Sequence, residues 1–457
     1  MVVIVLSAAG VGLALPSAAC PMSAPAQSAN ATLEPQPVAN QLSPEASAPA
    51  AASVDLAAAE LSESNLGPGF AVQVSDVLTG QALFQVNGEE ARKPASTLKI
   101  FTAAAALTTL GGEHTFGTTV VMTQTGAQSA TLTLVAGGDV LIGQGAGQIA
   151  QVNGRAGMAE LASQVSTNVR ARGINQVQVV LDDTIFTGPD LLPDWDWWPG
   201  ASWGGPIGPL AINAGHEGPG FDQEGFSADA ALAAAEFFRQ ELAVAGQDQG
   251  LALPFLEVTG PVARQTVIGA GVEVGRVDSA PVRELTAYML EHSDNVVAEV
   301  LGRMTAKAQG LEASFAGAGQ AIEQAAEELG VDTANLHLAD ASGLSRGSGI
   351  PPSALTQLLV TAATAADATD LRALTRGLAV GGLQGTLENR FVEGGTAGLV
   401  WAKTGTLTGV TSLAGYLQTA SGRELAFAVM ADQTGEVGYF TARDAIDQFV
   451  TALVLLS

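Results

Sequence analysis

The sequence predicts an α+β protein, an antiparallel sheet with helices on both faces, carrying smaller inserted α/β domains. Three observations predict it. An alternating hairpin, Phe70 to Asp76 and Ala82 to Val86 around Thr79-Gly80, opens the patterned part of the chain. Three more alternating segments, about Leu399 to Thr406, Leu413 to Gln418 and Glu424 to Met430, lie near its end. Clusters of chemically capable residues flank a stretch, 113–278, that contains none. The two ends must then meet in one sheet. This gives a split catalytic domain, 59–112 plus 279–457, with 113–278 inserted as one or two smaller domains.

The remaining elements follow from periodicity. Thr118 to Thr123 and Ala130 to Ala136 read as a second hairpin, and Gln176 to Leu181 as a strand. Apolar residues at helical spacing mark Met158 to Ala171, Ser227 to Ala245, Pro281 to Leu290, Asn295 to Ala308 and Phe315 to Leu329. The same spacing marks Pro352 to Ala365 and Phe440 to Leu455. Four of the five tryptophans crowd into Asp194 to Trp203, a Pro- and Gly-containing loop better suited to packing between domains than to lining a groove.

Composition narrows the function. A chain of 457 residues with 47% hydrophobic and 14% charged residues is globular and long enough for two or three cores. Its net charge of −26 excludes nucleic acid, whose phosphates need a basic face. Val2 to Leu15 is an apolar run too short for a stable membrane span, followed by Ser17-Ala18-Ala19. Residues 1–19 therefore read as a signal peptide, although the first basic residue is Arg92. Cys20 is the only cysteine, and Ser17 three positions before it speaks against lipidation. Residues 20–58 read as a disordered Ala/Pro/Ser linker. The protein is expected to be exported to the cell envelope, periplasm or cell wall.

The chemistry centres on Lys93-Pro-Ala-Ser-Thr-Leu-Lys99. Pro94 stops the preceding segment, Ser96 opens a helical pattern to about Leu110, and Gly111-Gly112 end it. Residues three apart share a face, so Lys99 reaches back to the Ser96 hydroxyl. A serine held against a desolvated lysine is an activated nucleophile without histidine. The chain holds only four lysines, Lys93, Lys99, Lys307 and Lys403, beside fifteen arginines. Lysine can give up its proton near neutral pH and arginine cannot. Two further clusters fit: Ser293-Asp294-Asn295 between two helices, and Lys403-Thr404-Gly405-Thr406 on a strand. Gly405 is expected to admit a substrate backbone, and the Lys and Thr side chains to hold a carboxylate.

Ser-x-x-Lys, Ser-Asp-Asn and Lys-Thr-Gly in this order form the signature of β-lactamases and penicillin-binding proteins. From about Leu66 onward the chain resembles the low-molecular-mass penicillin-binding proteins of the D-alanyl-D-alanine carboxypeptidase/endopeptidase family. Gly137-Gly138-Asp139, Asp340-Ala-Ser-Gly-Leu-Ser345, Gly385-Thr386-Leu387 and Leu413-Ala-Gly-Tyr416 also match, with Ala341 standing where Gly or Asn is expected. The long gap from Lys99 to Ser293 resembles the branch with inserted domains. The resemblance implies a penicillin-binding-protein/β-lactamase-like catalytic domain acting on peptidoglycan stem peptides. It implies Ser96 as nucleophile, Lys99 as general base and Ser293 as proton relay. Asn295 would orient the substrate amide and support Lys99. Lys403, Thr404 and Thr406 would receive the terminal carboxylate, and the backbone N–H groups of Ser96 and Thr406 the oxyanion. β-Lactams would inhibit by stalling the acyl-enzyme, and no metal or organic cofactor is implied.

Rival readings are weaker. Gly343-Leu-Ser-Arg-Gly347 matches a nucleophile elbow, but Ser348-Gly-Ile-Pro-Pro352 cannot begin a helix at once. His292-Ser293-Asp294 contains triad residue types, yet neighbours cannot stack into a triad, and His292 reads as a helix-end residue. His114, His216 and His337 lack ligand spacing for zinc. A β-lactamase, or a catalytically idle penicillin-binding envelope protein, are the alternatives at the level of the whole chain.

Overall fold

The computed structural model describes residues 45–195, 203–218, 225–247, 255–267, 271–365 and 370–457. The signal peptide and residues 20–44 of the spacer lie outside the described residues, as do Trp197 and Trp198.

Two helices, α1 (Ala51–Ala57) and the single turn α2 (Glu63–Leu66), precede the hairpin strands β1 (Phe70–Asp76) and β2 (Ala82–Val86). Residues 51–57 were expected to belong to the disordered linker. They are ordered because alanine favours helix and because Val54 is fully buried in an apolar cluster with Phe449 and Val450. After β2 comes α3 (Lys99–Leu110). The middle of the chain holds β3 (Gly117–Gln124), β4 (Ser129–Val135), β5 (Asp139–Ile142), α4 (Met158–Ala171), β6 (Gln176–Asp182) and β7 (Leu210–Ile212). It continues with α5 (Ala230–Gly246), β8 (Glu257–Arg264) and β9 (Val272–Asp278). The last part is α6 (Val282–His292), α7 (Asn295–Ala308), α8 (Phe315–Glu328), α9 (Pro352–Thr364) and α10 (Ala373–Gly377). Then follow β10 (Ala379–Val380), β11 (Val400–Leu407), β12 (Val410–Gln418), β13 (Glu424–Ala431) and α11 (Tyr439–Val454).

A six-stranded sheet runs β10-β11-β12-β13-β1-β2, and every neighbouring pair in it is antiparallel. The first strand of the chain pairs with the last, Phe70 opposite Ala431 and Val74 opposite Phe427. Both faces are covered, which is why β1 and β13 are buried almost throughout. One face packs against α11 around Phe427, Phe449 and Val450. The other carries Ala428, Met430 and Tyr416 into the cluster formed with α3, α6, α7, α8 and α9.

A second sheet, β8-β6-β4-β3-β9, is built wholly from 117–278. β4, β6 and β8 are parallel, as strands joined through the helices α4 and α5 must be, whereas β3 pairs antiparallel with both β4 and β9. Its core includes Leu132, Val179, Leu161 and Phe238. The sequence does not announce β8 and β9, because their outward positions are polar or exposed and Gly260 and Pro261 interrupt the alternation in β8. β5 and β7 form a small parallel pair.

Candidate active site

The turn before α3 sets the candidate nucleophile, Ser96. Ala95–Leu98 is a 3-10 turn that passes directly into α3, so Lys99 is the first α-helical residue. With about three residues per turn, Ser96 and Lys99 eclipse one another more closely than in an α-helix. Lys99 Nζ lies 2.9 Å from Ser96 Oγ. It also donates to Asn295 Oδ1 at 2.6 Å and to the Ser342 carbonyl at 2.7 Å. Ala95 sits at φ +46°, a left-handed conformation that non-glycine residues seldom adopt. The Pro94 carbonyl holds this turn, accepting from Thr97 Oγ1 and Ser412 Oγ, each at 2.7 Å.

Ser293 occupies the junction of α6 and α7 at φ +57°, ψ +33°. Asp294 caps α7 through Val297 N, and Asn295 is its first residue. This left-handed pivot brings Ser293 and Asn295 to the same cleft. The Asn295 amide orientation is fixed from both ends, because Oδ1 faces Lys99 and Nδ2 donates to the Trp203 carbonyl.

Strand β11 supplies the third cluster. Alternation along the strand places Thr404 and Thr406 on the cleft wall and leaves Lys403 and Gly405 buried. Lys403, with Thr404 and Thr406, is expected to receive a carboxylate. Its Nζ lies behind Ser293, donating to Ser293 Oγ at 2.8 Å and to its neighbour's carbonyl, Thr404 O, at 2.9 Å. Gly405 was expected to make room for substrate. A Cβ there would stand 2.2 Å from Ser412 Oγ and 2.6 Å from the Pro94 carbonyl, so the space serves the nucleophile turn. Gly405→Ala is accordingly expected to press on Pro94-Ala95 and lower acylation by about 10- to 100-fold, with only a modest fall in Tm. Acylation at the wild-type rate would mean that the turn yields without moving Ser96.

A cleft of about 810 Å³ joins these parts, lined among others by Ser96, Ser293, Asn295, Thr404 and Thr406. Thr386 and Trp203 also line it, and Thr386 Oγ1 accepts from Thr404 Oγ1 at 3.1 Å. Gly385-Thr386-Leu387 was thus a useful signal. Trp203 was not separable from its aromatic neighbours by sequence. Trp195 and Trp203 divide the two roles weighed for that loop: Trp195 is buried edge-on against Phe315, and Trp203 is 57% exposed at the cleft.

Both site lysines are fully buried. Burial brings Lys99 down to about 8, against an opposing pull from Asp340, Glu299 and Asp294. Burial, and then the Lys99 charge, hold Lys403 well below the usual lysine range. Ser345 is buried in a loop, donating to Asp194 Oδ2 at 2.6 Å, with neither a strand before it nor a helix directly after. It is not a nucleophile elbow. His292 ends α6, and no group of three or more His, Cys, Asp or Glu suited to a metal occurs among the described residues.

Residues 51–225 and 220–453 match the D-Ala-D-Ala carboxypeptidase 3 (S13) family. The chain belongs to this family. It is 35% identical to a carboxypeptidase of Mycobacterium tuberculosis over 417 residues, covering 89% of this chain and 85% of that one. It is 30% identical to the D-alanyl-D-alanine carboxypeptidase of an Actinomadura species, covering 82% and 80%. Penicillin-binding protein 4 of Haemophilus influenzae has the same fold, with a TM-score of 0.69 at 22% identity over 88% of this chain and 98% of that one. The S13 chain is a hydrolase with the α+β architecture and inserted region that its motifs imply.

Proposed function

We infer that this S13 hydrolase is an exported serine D-alanyl-D-alanine carboxypeptidase that trims peptidoglycan stem peptides through an acyl-enzyme on Ser96. The contact that carries the reading is Lys99 Nζ, fully buried and 2.9 Å from Ser96 Oγ. An ammonium has three N–H groups and Lys99 has three partners. When Lys99 is neutral, two N–H groups stay on Asn295 and Ser342, and the freed lone pair faces the Ser96 hydroxyl. No atom needs to move for the base to form.

Ser96 Oγ then attacks the carbonyl carbon of the D-Ala–D-Ala bond while its proton passes to Lys99 Nζ. The backbone N–H groups of Ser96 and Thr406, both residues of the cleft wall, stabilise the oxyanion. The C–N bond breaks as the leaving amine takes a proton relayed through Ser293 Oγ, which the Lys403 ammonium backs. Water, deprotonated by the same groups, hydrolyses the ester, and a β-lactam, whose leaving group stays tethered, halts at the ester. The same steps cleave a cross-link whose leaving amine belongs to a second stem peptide. The split domain, 59–112 plus 279–457, and the signal peptide 1–19 belong to this reading. No described helix is long and apolar enough to cross a membrane.

Product analysis on purified peptidoglycan tests it. Free D-Ala and shortened stems are expected, while nitrocefin turnover without D-Ala release would assign a β-lactamase.

The carboxylate site has its own test. A carboxylate on the Thr404 and Thr406 hydroxyls would lie in the field of Lys403. Amidating the substrate's C-terminus is expected to cost the wild type at least about tenfold more in kcat/KM than it costs Lys403→Ala. Lys403→Arg, which keeps the charge, is expected to retain measurable activity with weakened recognition. Equal amidation penalties in wild type and Lys403→Ala would mean that Lys403 does not act on the carboxylate.

A further inference from the structure

We propose that Glu299 is a positioning residue for the lysine base, anchoring the N–H groups of Ala341 and Ser342 so that the Ser342 carbonyl, which begins the next peptide unit, fixes Lys99 against Ser96. This rests on the reading of Lys99 as general base.

Glu299 lies four residues after Asn295 on α7, one turn along the face that addresses Lys99. It is fully buried and does not line the cleft. Its Oε1 accepts from Ser342 N at 2.7 Å and Ala341 N at 3.1 Å, and Oε2 lies 3.2 Å from Ala341 N. The next peptides of the loop are held by Asp340, which accepts from Gly343 N at 3.0 Å and Ser345 N at 2.6 Å. Two buried carboxylates therefore clamp consecutive stretches of one loop. That loop also accepts from Thr102 Oγ1, on α3, through the Ala341 carbonyl at 2.6 Å. Gly343, at φ +83°, packs so closely on Ala95 that a Cβ would stand 1.9 Å from its carbonyl oxygen. Asn295 is thus one of the three acceptors of Lys99, and Glu299 helps to place a second, the Ser342 carbonyl, through the loop backbone.

A buried carboxylate is an expensive device for holding two N–H groups, since a carbonyl or a glutamine would accept them at lower desolvation cost. The charge has a use if it bears on Lys99. The groups facing this pair are Asp340 from the loop, Arg303 on α7, Asp294 at the α7 N-cap and Lys403 on β11. Burial, and then the Asp340 charge, push Glu299 above the usual carboxylate range. Any negative charge on Glu299 favours the ammonium, so its removal must favour the free amine.

The test measures penicillin acylation of the full chain against pH in wild type, Glu299→Gln and Glu299→Ala, with Tm alongside. Glutamine can turn its Oε1 to both N–H groups without the charge. Glu299→Gln is expected to acylate within about threefold of wild type at its plateau, with the acid limb of the rate profile moved down by about half a pH unit or more. Glu299→Ala is expected to lose on the order of 100-fold in the acylation step with little change in the initial penicillin affinity. A purely scaffolding residue would lower Tm and leave the limb in place. The proposal fails if Glu299→Ala acylates like wild type, if Glu299→Gln falls as far as Glu299→Ala, or if the limb does not move. A wild-type adduct mapped to a residue other than Ser96 would remove the underlying mechanism instead.

Discussion

Ser96→Ala is expected to yield a folded protein that forms no covalent adduct with penicillin. In the proposed mechanism the hydroxyl is the atom acylated, so its loss removes the reaction rather than slowing it. Peptidase kcat/KM is expected to fall by about 10⁴-fold or more, in the range seen when a nucleophile is deleted. The fold should tolerate the change. Ser96 is only partly buried, and the cost is one hydrogen bond from Lys99, about 1 kcal/mol. Ser345→Ala supplies the contrast, because that hydroxyl bonds Asp194 and the Gly347 N–H rather than facing the cleft. It should label at a rate close to wild type. Intact-mass measurement after exposure to penicillin reads both variants. An adduct on the Ser96→Ala protein would remove Ser96 as nucleophile.

Lys99→Arg should be almost as severe, with acylation reduced by on the order of 10³-fold or more. Two causes act together. Guanidinium stays protonated at any usable pH and cannot take the Ser96 proton. Arginine is also longer and planar, whereas the pocket offers three acceptors converging on one nitrogen, Ser96 Oγ, Asn295 Oδ1 and the Ser342 carbonyl. The wild-type pH profile gives the sign independently. As the proposed base, Lys99 acts only when neutral, and neutral lysine accumulates above a pKa of about 8. Acylation should therefore rise with pH, about tenfold per unit below that value, and level off above it. At pH 7 about a tenth of the enzyme would hold the free amine. A flat profile between pH 6 and 8, or a Lys99→Arg enzyme keeping a tenth of wild-type acylation, would reassign the base.

Much of this site was legible in the chain itself. Ser96 and Lys99 are three residues apart at a helix start, and local geometry alone stacks them. Lys403 to Thr406 sit on a strand whose alternation follows from its apolar pattern. The placing of Ser293-Asp294-Asn295 between two helices follows from the periodicity on either side. Such signals survive without tertiary context because backbone geometry over a few residues is nearly independent of the rest of the fold.

What only the tertiary structure decided is where these pieces face one another. Alternation on β11 could be read, but not which face is the cleft. That depended on the Pro94-Ala95 turn packing on Gly405, which buries Lys403 behind Ser293. Residues 51–57 read as a linker because alanine-rich segments carry no period, and only the cluster around Val54 and Phe449 orders them. In the sequence Glu299 is one acid among many on helical segments. Its role appears only when the chain brings 341–342 beside 299, since a buried carboxylate is defined by the partners that reach it and not by its neighbours in sequence. Residue chemistry and short-range spacing are encoded locally, whereas burial, and with it every shifted pKa in this site, is a property of the whole fold.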